Sequence, residues 1–310
     1  MMQKLLFAPV LGLLHLMALL PLWALYILSD IIFLLLYHVV RYRVRVVRKN
    51  LAESFPEKSE KELRGIERAF YRNFADYIVE TVKLLHISDR TILKRMQFEG
   101  VEEIDRIFDN GQSIVAYFSH CGNWEWAPSV TLHTRHKPEP GKYAFCQVYR
   151  PLRNKPMDRL MLKLRSRFGS TSYPKRTVFR DLLMLRRDGV VSITGFMSDQ
   201  KPSHGDDIHA VMFLNHPTAI ITGTEQLGRK LKMAAVYWDV YKPSRGHYKI
   251  VTRLITDDIS ATEPMSVTDR YAAMLEQTIR RNPAIWLWTH KRWKHPVTMP
   301  QNNTEDTCHP

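Results

Sequence analysis

The sequence predicts an α/β fold, a mixed central sheet flanked by helices, with a transmembrane helix ahead of it. Three observations lead there. The chain opens on an uncharged apolar run, strand-length runs rich in β-formers recur beyond residue 113, and stretches of helical period lie between them.

Residues 5–29 carry no charge and exceed the roughly 20 residues that a helix needs to cross a bilayer core. The stretch is too long for a cleaved leader, and no small-residue cleavage site closes it. Residues 31–40 form a second apolar piece, too short to span alone, so 1–40 reads as a membrane anchor and interfacial segment. Arg41, Arg43, Arg45, Arg48 and Lys49 follow at once, with only Lys4 ahead, and the positive-inside rule then places the remainder on the cytoplasmic face of a single-pass anchor. The same arginines suit anionic headgroups.

From 56 to 85 the apolar residues Leu63, Ile66, Phe70, Phe74, Tyr77, Ile78 and Leu85 mark one face of a helix, and Ser59 with Glu62 reads as its capping box. Strands are expected at 113–118, 143–149, 190–197, 233–240 and 247–255. Helices are expected at 124–133, 156–168, 177–187, 217–230 and 267–281, the last stopped at Asn282-Pro283. Residues 41–297 read as one domain and 298–310 as a polar, disordered tail.

Lys and Arg number 45 against 31 Asp and Glu, a formal charge of +14, which calls for an anionic partner. No nucleic-acid-binding signature accompanies the charge, and an anchor argues for a membrane or lipid partner instead. Three widely spaced cysteines (Cys121, Cys146, Cys308) exclude a disulfide framework and fit a reducing compartment.

One stretch concentrates chemistry. Strand 113–118 runs into Ser119-His120-Cys121-Gly122-Asn123-Trp124-Glu125-Trp126, and open α/β sheets bind ligands at the carboxyl ends of their strands. A histidine is the usual general base for a hydroxyl and needs a second group to hold its tautomer. Glu125 is five residues on. On a continuous helix the two would point about 140° apart, so the reading requires a turn, which Gly122 permits. The spacing alone is weak, since about one His-x4-acid pair is expected by chance in such a chain. The amides of Gly122 and Asn123, opening a helix, could face a developing anion. Cys121 is poorly placed as a thiol nucleophile beside His120, because neighbours on an extended chain point opposite ways. His120, Cys121, Cys146, His204 and His209 lack metal-site spacing, and no metal is expected.

His120-Cys121-Gly122-Asn123-Trp124-Glu125 resembles the H-x-G-N-W-E block of the late acyltransferases of lipid A biosynthesis, the lauroyl/myristoyl family related to the glycerolipid (lysophospholipid) acyltransferases. Further blocks follow in family order: Val47-Arg48-Lys49-Asn50-Leu51 to Ser54-Phe55-Pro56-Glu57; Tyr149-Arg150-Pro151-Leu152 with Asn154 and Asp158-Arg159-Leu160; Ser198-Asp199-Gln200; and Trp286-Leu287-Trp288, His290 and Arg292-Trp293-Lys294. Cys121 and the segment Lys201–Asp207 depart from the best-known members.

The resemblance implies a single glycerolipid-acyltransferase-like domain at the bacterial inner membrane. The implied reaction moves a fatty acyl chain from an acyl-carrier-protein thioester to a hydroxyl of a lipid A precursor. No cofactor is implied, acyl-ACP or acyl-CoA being a co-substrate. His120 would be the general base and Glu125 its partner. Arg150, Asn123, Gly122, Asp199, Gln200 and Asp158 would serve the oxyanion or substrate, and Trp124 and Trp126 the acyl chain or membrane. The partners implied are acyl carrier protein, an anionic lipid or glycolipid acceptor and the membrane. A lysophospholipid or amino-acid-linked lipid would need the same His/Glu chemistry, and a non-catalytic membrane scaffold is the reading of a different class. Trp286, Trp288 and Trp293 suit an interface belt and a protein core equally.

Overall fold

The structure, a computed structural model, describes residues 2–295 and 297–299. Residues 300–310, with most of the expected tail and Cys308, lie outside the described residues.

Pro21 decides the N-terminal architecture. It interrupts the apolar run, which divides into α1 (Met2–Leu19) and α2 (Leu22–Leu34), the latter continued by a π-helical turn, Leu35–Val39. Among the described residues, Leu22–Val39 is the helical segment long and apolar enough to cross a membrane. The single helix expected over 5–29 is thus corrected: Pro21 breaks it, and the long apolar helical segment takes in residues 31–39 instead. One face of α2 is not lipid-like. Ser29 donates to Asp76 (2.7 Å), Tyr26 to Glu80 (3.0 Å), and Asp30 accepts from Arg245 (2.7 Å), so this face sits on the domain. Trp23, Ile27, Ile31 and Leu34, three or four residues apart, make the opposite, exposed apolar stripe.

α3 (Val44–Ser54) leads to α4 (Glu60–Lys83), whose predicted capping box forms: the Ser59 amide donates to Glu62 (2.9 Å), and the Ser59 side chain accepts from the Glu62 amide. Lys83, near the other end, donates to Ala18 and Leu20 carbonyls and so closes α1. α5 (Asp89–Arg95), β1 (Met96–Glu99) and α6 (Val101–Asp109) then enter the sheet, followed by β2 (Ile114–Phe118), β3 (Tyr143–Tyr149), α7 (Lys155–Arg165), β4 (Thr171–Pro174), α8 (Val178–Arg187) and β5 (Val191–Met197).

Residues 217–230, expected to be one helix, are corrected. β6 (Ile208–Phe213) and β7 (His216–Ile221) form an antiparallel hairpin, and only Gly223–Lys230 is helical (α9). The turn residues Leu214 and Asn215 have φ of 50° and 65°, the left-handed pair that a type I′ hairpin requires. Without a glycine there, and with Pro217 mimicking a helix start, the turn was hidden. Residues 124–133 form a 3-10 run, Trp124–Leu132, carrying Pro128 inside it, rather than an α-helix.

β8 (Ala234–Ser244), β9 (His247–Thr256) and α10 (Ser266–Arg281) complete the fold. The main sheet has the order β1-β9-β8-β2-β5-β3-β4, with β8, β2, β5, β3 and β4 parallel and the β9–β1 edge reversed. β2 is buried at every residue, as expected for a central parallel strand. Its register decides the site: Phe118 pairs with Met197, so residues the same distance past these two ends emerge side by side.

Candidate active site

His120 and Asp199 each stand two residues beyond that Phe118–Met197 pair. The register therefore brings them together across 79 residues of sequence. His120 Nδ1 lies 2.8 Å from Asp199 Oδ1, and the His120 backbone amide donates to Oδ2 (3.0 Å). The Trp286 indole donates to the same Oδ2 (2.9 Å). Burial alone would raise the Asp199 carboxyl, yet the adjoining imidazole, its two bonds and the indole hold it down to about 2. A carboxylate at Nδ1 keeps the ring proton there and leaves Nε2 as the lone-pair atom. The Gln200 amide nitrogen sits 3.2 Å from Nε2 and can donate to it. The His120 side chain is 15% exposed against 1% for Asp199, so the imidazole reaches the surface while the carboxylate does not.

The expected partnership of His120 with Glu125 is corrected. The 3-10 run that begins at Trp124 aims Glu125 at α7, where Arg165 grips it bidentately, Nε and Nη2 to its two oxygens at 2.8 and 2.7 Å. Glu125 is 3% exposed.

The other expected oxyanion donors are also redirected. The Gly122 amide donates to Ile285 O (2.9 Å), beside an antiparallel bridge between Cys121 and Trp286. The Asn123 side chain donates to Glu80 (2.8 Å), a fully buried carboxylate that also accepts from Tyr248 (2.8 Å). Burial raises the Glu80 carboxyl, opposed by Lys242 and the Asn123 bond. Both residues thus fix the loop that carries His120. Asp158 accepts from the Leu152 amide (2.7 Å) and shapes the loop after β3. Arg150, at the carboxyl end of β3, is exposed and makes no side-chain hydrogen bond or ion pair among the described residues. Cys121 is buried, and burial pushes its thiol far up, which denies it a thiolate.

Gly122 has φ +61°, and a Cβ there would meet the Tyr248 ring at 3.0 Å and Val240 at 3.2 Å. Gly122→Ala combines left-handed strain with overpacking and is expected to destabilise the fold by about 2–4 kcal/mol. Denaturant melts of the full chain in detergent check this.

The two tryptophans have different places. Trp124 stacks on Tyr77 (4.1 Å) and meets the His120 ring edge-on (5.1 Å). Trp126 is fully buried, donates to the Glu80 carbonyl (3.2 Å) and belongs to the core, not to a substrate wall. From Trp124 an apolar cavity runs inward over the sheet, past Phe118, Met197, Gly195 and Ile193, with about 600 Å³ of unfilled space, part of it open to solvent.

Sequence reasoning missed the roles of Trp286, Arg165, the half-buried His290 and the buried Arg292. Trp286 and Trp288 are core residues at 3% and 0% exposure, which settles them away from an interface belt. His290 Nε2 accepts from the Lys201 amide (3.0 Å); burial, aided by the Arg292 charge and opposed by Asp199, lowers its ring to about 4. An unfolded histidine takes its proton near pH 6.5. The native state is therefore fully favoured above that pH and loses about 3 kcal/mol as pH falls from about 6.5 to about 4. His290→Gln keeps an acceptor for Lys201 and should flatten this acid-side loss, measured as unfolding midpoints at neutral and mildly acidic pH.

The comparison with curated proteins finds no match. The family model described as bacterial lipid A biosynthesis acyltransferase matches residues 1–295, a span that takes in β2, β5 and the Trp286 segment. The chain belongs to the bacterial lipid A biosynthesis acyltransferase family.

Proposed function

We propose that the protein transfers a fatty acyl chain from an acyl-carrier-protein thioester to a hydroxyl of a lipid A precursor, with His120 as general base and Asp199, rather than Glu125, as the carboxylate behind it. The observation that carries this is the His120 Nδ1–Asp199 bond at 2.8 Å, with the imidazole edge-on to Trp124, a residue that also lines the apolar cavity. The acceptor hydroxyl displaces the Gln200 amide from Nε2 and gives up its proton there as its oxygen attacks the thioester carbonyl. Asp199 stabilises the imidazolium. The tetrahedral intermediate collapses with loss of the carrier thiolate, which takes the proton from Nε2. The freed Gln200 amide and the Arg150 guanidinium are the donors proposed for the oxyanion, a role worth about 10²–10³ in rate per donor. No cofactor enters.

Carrier-protein delivery is supported by charge. Arg153, Lys155, Arg159 and Lys163 are exposed at and just before α7, the helix whose Arg165 borders the cavity. Exposed cations of this kind speed encounter with an acidic partner. The reading also places the protein on the inner membrane, held through Leu22–Val39, with the catalytic domain on the cytoplasmic face. The arginines from Arg41 onward support that orientation.

The test is acyl transfer by the purified full chain, with lipid A precursor, lysophospholipid and an amino-acid-linked lipid offered side by side. Transfer to the precursor alone is expected; preference for either other lipid would replace the acceptor. Chain length has its own check. Gly195 leaves its side of the cavity open, the nearest atom to an added Cβ being Cys146 O at 3.8 Å. Gly195→Leu is expected to shift the preferred donor to a shorter acyl chain, read by mass spectrometry of the product.

A further inference from the structure

The flank of α4 away from the cavity holds a feature that the proposed chemistry does not use. Two open hollows meet there. One is lined by Arg41, Arg48, Lys61, Arg64 and Arg68, the other by Arg68, Arg72, Lys242 and Arg245, and they share Gly65 and Arg68. Together they form one trough between α4 and the α2–π segment.

Its charge is only partly neutralised. Arg48 pairs with Glu67, Arg64 with Glu60, and Arg245 and Lys242 with Asp76. The side chains of Arg41, Lys61 and Arg68 are exposed and make no hydrogen bond or ion pair among the described residues. Arg72 is exposed as well and rests over the Phe33 ring (5.3 Å) without an acidic partner. Lys61, Arg64, Arg68 and Arg72 recur at three- and four-residue steps, so α4 presents them as one stripe.

Two details point outward to a ligand. Gly65 sits inside α4 where a helix prefers alanine, and nothing lies within 4 Å of where its Cβ would be. Internal packing therefore does not demand a glycine there, and its effect is to leave the trough floor open. The chain after the π turn is also held unusually: Arg41 and Arg43 both have φ 52°, a left-handed conformation that only a few per cent of non-glycine residues adopt.

The trough's other rim identifies the partner. Leu34, Leu35, Val39 and Val40 are 48–71% exposed beside it, at the end of the segment apolar enough for a membrane. A ligand held there meets cations on one side and hydrocarbon on the other. We infer that this trough binds the headgroup phosphate of an anionic phospholipid of the surrounding bilayer, with its acyl chains along the exposed α2–π residues. The inference rests on the membrane association proposed above, but not on the acyl-transfer chemistry.

The test is native mass spectrometry of the full chain released from nanodiscs of equimolar phosphatidylcholine and phosphatidylglycerol. The wild type is expected to retain phosphatidylglycerol in clear preference. Arg68→Gln with Arg72→Gln should cut that preference about thirtyfold, at about fivefold per arginine near a membrane surface. Gly65→Leu, which fills the floor and leaves every charge, should reduce it too. Arg186→Gln with Arg187→Gln, an exposed pair on α8, should leave it intact. Equal retention of the two lipids by the wild type, an equal loss in the α8 variant, or displacement of phosphatidylglycerol by a phosphorylated glycolipid acceptor would each overturn the inference. Acyl transfer is assayed in parallel in phosphatidylcholine alone: transfer without lipid preference sinks only the trough, and preference without transfer sinks only the proposed reaction.

Discussion

Asp199→Asn is expected to lower kcat for acyl transfer by about 10⁴, the scale seen when the carboxylate behind a catalytic histidine becomes an amide. An asparagine can donate to Nδ1, which drives the ring proton to Nε2 and removes the lone pair that the acceptor hydroxyl needs. The loss should fall on kcat with the donor's KM little changed, because Asp199 is buried and touches no substrate surface. Its carboxylate also supports the fold. Held at about 2 against about 4 when unfolded, it contributes about 2 kcal/mol at neutral pH, present above pH 4 and lost as pH falls toward 2. Rates are therefore compared after circular dichroism has shown the variant folded. Glu125→Gln, tested beside it, should keep far more activity, since Arg165 can still donate to the amide oxygen.

The second large effect is on stability. Glu125→Ala leaves the Arg165 guanidinium beside an apolar cavity without its bidentate partner. Removing one member of a buried ion pair costs about 3–5 kcal/mol. Replacing both, Glu125→Leu with Arg165→Met, should recover most of that loss, because the desolvation cost disappears with the charges. Urea midpoints of the single and double variants check this. A double variant no more stable than Glu125→Ala would mean that the pair is not the source of the loss. Acyl transfer by the double variant then separates the pair's structural part from any part in chemistry.

These two results would also divide a motif that the sequence presents as one unit. His120 and Glu125 look like partners because they are five residues apart, and local spacing is what a sequence displays. The true neighbour of His120 is set by parallel pairing of β2 with β5 and a register that no local pattern encodes. The strands themselves were legible: β2, β3, β5 and β9 lie within one residue of the predicted runs, because buried strands must be apolar over their length, while β8 runs four residues past its predicted end, to the exposed Pro243 and Ser244. The capping box at Ser59 was legible for a similar reason, being a contact between residues three apart.

What escaped had its cause further away or in a rare local choice. The β6–β7 hairpin turns on Leu214-Asn215, which carries no glycine signal. The roles of Gly122 and Asn123 were missed because their partners, Ile285 and Glu80, come from distant segments. Glu80 and Asp76 lie one helical turn apart on α4 and are buried; acids on a buried helix face were the available sign of a polar network reaching α2 and the His120 loop. The apolar N-terminus was legible as membrane-suited, but its boundaries were set by Pro21 and by polar pairs with Asp76, Glu80 and Arg245 that only the packed domain supplies.

The most direct measurement is single-turnover acyl transfer from acyl-carrier protein to lipid A precursor by His120→Asn in the full, membrane-inserted chain. A fall of at least about 10³ in the transfer rate, with donor binding unchanged, is the result expected of a lost general base. Transfer within tenfold of the wild type would contradict it, and would mean that the acceptor hydroxyl loses its proton elsewhere.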